Sequence, residues 1–153
     1  MLKYHNKIFY SIAIFILIID QISKWLVSSN MSLGQSWPED GFFRLLYVLN
    51  TGSAFGLFQG FTDVLTIFSF IGIALILYLF FKAEEQADFY KLGLALILSG
   101  AIGNLIDRLV NGAVVDFISV GWWPVFNLAD SAISIGMVIL AVSILFFNKN
   151  SSS

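Results

Sequence analysis

Asp107, Asp116 and Asp130 are the residues in this sequence on which chemistry is most readily built. They share one stretch, Asn104 to Asp130, between two strongly apolar runs. Ionisable groups where membrane meets water are costly unless paired or wet, so they are functional candidates. Two carboxylates brought together there point to acid–base work. Close carboxylates cannot easily both ionise, and they share one proton. The ionised member takes a proton from water, which attacks a peptide carbonyl. The protonated member stabilises the oxyanion and later helps protonate the leaving amine.

Asp116 and Asp130 are the expected catalytic pair. Asp116 follows Gly112-Ala113-Val114-Val115 and precedes Phe117-Ile118, so it is not a solvated loop acid. Asp130 falls three residues after Asn127, on the same helical face. The plainer reading of Asp130 is a helix-start carboxylate favoured by the dipole.

Composition narrows the alternatives. The 153 residues are 58% apolar and 12% charged, with a mean hydropathy of +0.86. A soluble domain is roughly 45–50% apolar and about 25% charged, so this chain reads as an integral membrane protein. The net charge of -2 gives no argument for nucleic acid. There is no cysteine, which excludes disulfides and thiolate chemistry, and the only histidine is His5. No metal or other cofactor is expected.

Four helices must position these groups. Apolar runs predict a mainly α membrane protein, a four-helix bundle spanning about residues 8–27, 64–81, 92–109 and 127–147. The N-terminal run has no small-residue cleavage site after Val27 and is read as a retained span. Between the first two spans, about residues 30–61 carry turn signals and the aromatic run Phe42–Leu49. They are read as a small extracytoplasmic β-sheet resting on the membrane. Gly52, Gly56 and Gly60 are its hinge candidates. The whole chain, 1–153, reads as a single membrane-embedded domain. Lys3, Lys7 and Lys149 place both termini in the cytoplasm by the positive-inside rule. Asp20, Lys24, Asn104, Asp107, Arg108, Asn127 and Asp130 then converge at the outer face.

Each supporting residue has a plainer reading. Gly100, Gly103, Asn104 and Asp107 line one helical face. The glycines fit close helix packing, and Asn104 fits an interhelical hydrogen bond. Asp20 and Lys24 are one turn apart and can pair, with Lys24 snorkelling outward. The alternative is contact with a substrate backbone or a lipid head group. Asp107 is read first as the counter-ion of adjacent Arg108. Trp25, Trp122 and Trp123 fit an interfacial aromatic belt.

Five segments carry a family resemblance. They are Asp20-Gln21-Ile22-Ser23-Lys24, Asn50-Thr51-Gly52-Ser53-Ala54-Phe55, Gly100 to Arg108, Val114-Val115-Asp116-Phe117-Ile118, and Phe126-Asn127-Leu128-Ala129-Asp130-Ser131. In order and spacing the chain resembles the lipoprotein signal peptidase (signal peptidase II) family. The resemblance implies an aspartic endopeptidase of the bacterial cytoplasmic membrane. Its substrate would be a diacylglyceryl-modified prolipoprotein, cut on the amino side of the lipidated cysteine. By motif match Asp116 and Asp130 are catalytic. Asn50, Asn104, Arg108 and Asn127 line the site, and Asp20 and Lys24 support it or contact substrate. Sensitivity to globomycin is also implied. Membrane lipids and the prolipoprotein are the expected partners, with no nucleic acid, and a monomer is the expected state. Leu49, Ser53 and Ser99 depart from the family's usual residues.

Three rivals stand beside this reading. A small proton- or cation-coupled transporter would use the acids as ion sites, and Asp130 at the midplane would favour it. A structural subunit would use the small residues of the third helix to bind a partner helix. A serine–lysine peptidase would need Ser23 or Ser28 beside Lys24.

Overall fold

The structure, a computed structural model, describes residues 2–52, 60–83 and 88–147. Helices α1 (Leu2–Asn30), α2 (Thr62–Lys82), α3 (Asp88–Asn111) and α4 (Leu128–Phe147) alternate with strands β1 (Ser36–Trp37), β2 (Phe43–Asn50) and β3 (Val114–Val120). All four helices are long and apolar enough to cross a membrane. In hydrocarbon a spanning segment must satisfy its own backbone hydrogen bonds, and helices do so. Both prolines, Pro38 and Pro124, lie outside the helices, where no ladder is broken.

Helix α3 is the centre of the bundle. It packs against α1, α2 and α4. Half of its most apolar window is buried (50%), against 22% or less in the other three. Small residues make this possible. A Cβ on Gly93 would lie 2.9 Å from the Gly136 carbonyl oxygen, and one on Gly136 would lie 2.7 Å from that of Gly93. A Cβ on Gly100 would collide with the Ala129 carbonyl oxygen. The packing reading of Gly100 is therefore the one the geometry shows.

The sheet is antiparallel, in the order β1-β2-β3. Its third strand lies beyond the 30–61 segment, where the sequence reading places the whole sheet. Val114, Val115, Asp116 and Phe117 are all buried, so β3 lacks the alternation that marks a half-exposed strand. Val27 of α1 packs with Val115 and Phe117 and seats the sheet against the bundle. A separate cluster of Phe9, Phe80, Leu94 and Ala95 closes the far end of the bundle. The C-terminal ends of α1 and α3, the start of α4 and the sheet thus meet at one end.

Element bounds differ from the sequence reading by a few residues, mostly because the helices run past the apolar runs. Helix α1 continues to Asn30, α3 begins at Asp88, and Asn127 stands just outside α4. The hinge candidate Gly56 and the motif residues Ser53, Ala54 and Phe55 lie outside the described residues, as does Lys149. Gly60 adopts φ +81, a conformation that favours glycine.

Gly72 on α2 supplies an internal control, because nothing lies within 4 Å of an added Cβ there. Gly100→Ala should lower stability by about 1–3 kcal/mol through overpacking. Gly72→Ala should be neutral or raise it by up to about 1 kcal/mol. Thermal unfolding of both variants in detergent checks the contrast.

Candidate active site

The start of α4 is held by a reciprocal pair of hydrogen bonds. Asn127 Oδ1 accepts the Asp130 N–H at 2.8 Å, and Asp130 Oδ2 accepts the Asn127 N–H at 3.2 Å. This is a capping box, with Asn as the cap and Asp three residues on. Asp20 of α1 adds a second cap, its Oδ1 accepting the Ala129 N–H at 2.8 Å. Negative charge is favoured there by the helix dipole. The helix-start reading of Asp130 is therefore sound, and it describes only one of its oxygens. The other, Oδ1, accepts from Asn104 Nδ2 at 2.8 Å.

Asp116 reaches the same place on β3. Its Oδ1 accepts from Asn127 Nδ2 at 2.7 Å and its Oδ2 from Asn50 Nδ2 at 2.9 Å. The Asn50 contact depends on an irregularity in the sheet. Leu45 pairs with Ile118, but Val48 pairs with Asp116, so β2 carries one extra residue between them. Side chains alternate faces along a strand, so a shift of one flips every later residue. In the Leu45 register Asp116 would face Tyr47, with Asn50 on the opposite side of the sheet. The bulge turns Asn50 onto the Asp116 face as a diagonal neighbour.

Beneath the pair lies a fully buried ion cluster. Lys24 Nζ sits 2.9 Å from Asp20 Oδ2 and 3.1 Å from Asp107 Oδ2. It also donates to Asn104 Oδ1 at 3.0 Å. Lys24 is only 3% exposed, so it neither snorkels outward nor meets a lipid head group. The expected pairing with Asp20 holds, and the snorkelling does not, because the side chain's length is used inward, to join α1 to α3. Asp107 Oδ2 also accepts the Val115 N–H at 3.0 Å, docking β3 on α3. Gln21 Nε2 donates to Asp107 Oδ1, Asp20 Oδ2 and the Gly103 carbonyl, each at 3.2 Å.

The reading of Asp107 as counter-ion to Arg108 is corrected. Successive helix residues do not face each other. Asp107 turns to Lys24, and the carboxylates acting most strongly on Arg108 are Asp130 and Asp116, ahead of Asp107. Arg108 instead lines a cavity of about 690 Å³ together with Asn50, Asn104, Asp116 and Asp130. Ser69 of α2 and Ile133 of α4 extend the cavity down between the helices. Burial, reinforced by the charge of Asp130, pushes the Asp116 carboxyl up to about 7, against the opposing pull of the Asn50 and Asn127 amides.

Comparison with known proteins settles the family. A family model described as signal peptidase (SPase) II matches residues 12–146. The chain belongs to the signal peptidase II family. A lipoprotein signal peptidase of Fusobacterium nucleatum subsp. nucleatum is 46% identical over 148 residues, covering 94% of this chain and 90% of its own. One from Moorella thermoacetica is 44% identical, covering 90% and 92%. A bacterial membrane enzyme solved by the in meso method at 2.3 Å superposes with a TM-score of 0.87 and 30% identity, covering 96% of this chain and 93% of its own. Another, solved at 1.9 Å, gives 0.83 and 32%, covering 92% and 94%. This signal peptidase II chain is thus a bacterial membrane peptidase of the aspartic type.

The structure brings every site residue of the sequence reading to one end of the bundle, with Gly100 contributing packing alone. Gly103 also has a site role, since a Cβ there would lie 2.5 Å from Asp20 Oδ2. Gln21 and the Val115 N–H carry roles the sequence reading leaves unassigned. Membership of Gln21 in the first motif is the signal that could have found it. Asp130 stands in the first turn of α4 and not at a helix midpoint, so it lacks the placement that would favour a transporter. Ser23 and Ser28 donate to the carbonyls of Asp20 and Trp25, and neither meets Lys24.

The raised Asp116 value makes a stability prediction. Between the ordinary value of 3.8 and about 7 the folded protein holds a proton that the unfolded chain releases. Stability from this group is therefore lost as pH rises through that window. In detergent, Asp116→Asn should flatten that part of the melting-temperature profile relative to wild type.

Proposed function

We propose that this chain removes the signal peptide from diacylglyceryl-modified prolipoproteins, cutting on the amino side of the lipidated cysteine. The observation that carries the proposal is one cavity faced by Asp116 from a strand and Asp130 from a helix start, both joined to Asn127. The relatives' names, lipoprotein signal peptidase, supply the substrate class.

In this reading Asp116 holds the resting proton and Asp130 is the base. Asp130 takes a proton from water, whose oxygen attacks the scissile carbonyl carbon. The Asp116 proton passes to the carbonyl oxygen. Collapse of the tetrahedral species breaks the C–N bond, and the amine leaves with a proton from the pair. Asn50, Asn104 and Asn127 hold the carboxylates in place, and Arg108 offsets their combined negative charge. A cavity that continues between α2 and α4 suits a substrate held in the membrane. Residues 1–153 act as one domain, and the chain functions as a monomer among membrane lipids. Both termini lie in the cytoplasm and the site at the extracytoplasmic face.

Purified protein should cleave a diacylglyceryl prolipoprotein in detergent with a chelator present. Asp116→Asn and Asp130→Asn should each reduce the rate by about 10³-fold or more. Near wild-type cleavage by either variant would overturn the pair. Orientation is checked separately, because the chain has no cysteine of its own. In intact cells Glu39→Cys should react with an impermeant maleimide, and Lys3→Cys should react only after lysis. The reverse pattern would invert the topology. Inhibition by globomycin is a further expected outcome in the same cleavage assay.

A further inference from the structure

Lys24 touches neither aspartate of the pair, yet it bonds the one side chain that could tilt Asp130. Asn104 stands between them, its Oδ1 accepting from Lys24 Nζ at 3.0 Å and its Nδ2 donating to Asp130 Oδ1 at 2.8 Å. An amide side chain has a donor end and an acceptor end of nearly the same shape, and its neighbours decide which way it faces. A rotated Asn104 would aim its NH2 at an ammonium and its oxygen at a carboxylate. Asn127 Nδ2 also donates to Asn104 Oδ1, at 3.1 Å, but that group is shared with Val115 O and Asp116 Oδ1. Lys24 Nζ has three N–H donors for its three partners, Asp20, Asp107 and Asn104, whereas the Asn127 NH2 offers two to three acceptors, so Lys24 is the fuller restraint.

We propose that Lys24 is a positioning residue of the peptidase site, acting through Asn104 to keep a donor on Asp130. This rests on Asp116 and Asp130 being the catalytic pair. The charged groups around the relay are Asp20 and Lys24 on α1, Asp107 and Arg108 on α3, Asp116 on β3 and Asp130 on α4. Helix α2 and strand β2 contribute the uncharged Ser69 and Asn50 to the cavity. Arg44, further along β2, bonds to Ser119. The positive field of Lys24 reaches both aspartates. Its removal both frees Asn104 and makes the Asp116 carboxyl hold its proton more strongly.

The test is steady-state cleavage of a diacylglyceryl prolipoprotein by the full-length protein in detergent, across pH. Lys24→Met should lower kcat by about tenfold or more with KM within about twofold, as loss of a transition-state-only interaction does. Its pH–rate profile should move to higher pH. Lys24→Arg, which keeps the charge, should recover most of the rate. With each variant measured at its own pH optimum, Lys24→Met in an Asn104→Ala background should cost less than about twofold more, since groups acting through one another are not additive.

If Lys24→Met does not fold, the variant joining Lys24→Gln to Asp107→Asn, which removes one carboxylate with the ammonium, takes its place. Unchanged kcat and profile in a folded variant would overturn the relay. So would losses that add to those of Asn104→Ala, or that track melting temperature with the pH profile fixed. Asp116→Asn run alongside separates the two levels. If it still cuts, the pair assignment has failed. If it is inactive while the Lys24 outcomes fail, only the relay has.

Discussion

One buried ammonium holds the polar end of this molecule together. Lys24 and its partners Asp20 and Asp107 are removed from water. Each ion taken alone would cost several kcal/mol there, so the cluster persists only as a unit. Each of the two carboxylates has a second task. Asp20 secures the start of α4 through Ala129, and Asp107 secures β3 through Val115. Those are the two elements that carry Asp130 and Asp116. The geometry of Asp116 and Asp130 therefore traces back to a cation that meets neither of them.

Close helix approach is the second requirement, and it serves the first. Asp20 can reach the start of α4 only because Gly103 leaves room on α3, while Gly100 lets α3 and α4 lie against each other at Ala129. The cavity forms where this tight packing ends and the sheet begins. Water is the co-reactant a peptidase needs. An interior lined by Asn50, Asn104, Arg108 and two aspartates gives it polar surface between otherwise apolar helices.

Much of this was legible in the sequence. Long apolar runs marked the four spans, because lipid admits few other backbone solutions. Polar residues at the run ends fixed where the site lies, and helical spacing placed Gly100, Gly103, Asn104 and Asp107 on one face. The Asp20–Lys24 pair could be read because it is local. What escaped was non-local or masked by burial. The Asp107 partner is 83 residues away on another helix, whereas Arg108 is adjacent only along the chain. Strand β3 is buried over its first four residues and so lacked the alternation that betrays a strand. The cavity-facing turn of Asn50 depends on a bulge, which spacing in one strand cannot reveal.

That bulge makes length, more than residue type, the constraint on one short segment. Between Leu45 and Asn50 the strand works as a parity counter. Adding or removing one residue hands Asn50 to the outer face of the sheet, however conservative the change looks in composition. Two compensating changes within the segment would restore it. Substitution and length variation should therefore follow different rules here, with side chains such as that of Leu49, on the opposite face from Asn50, free to drift while the count stays fixed.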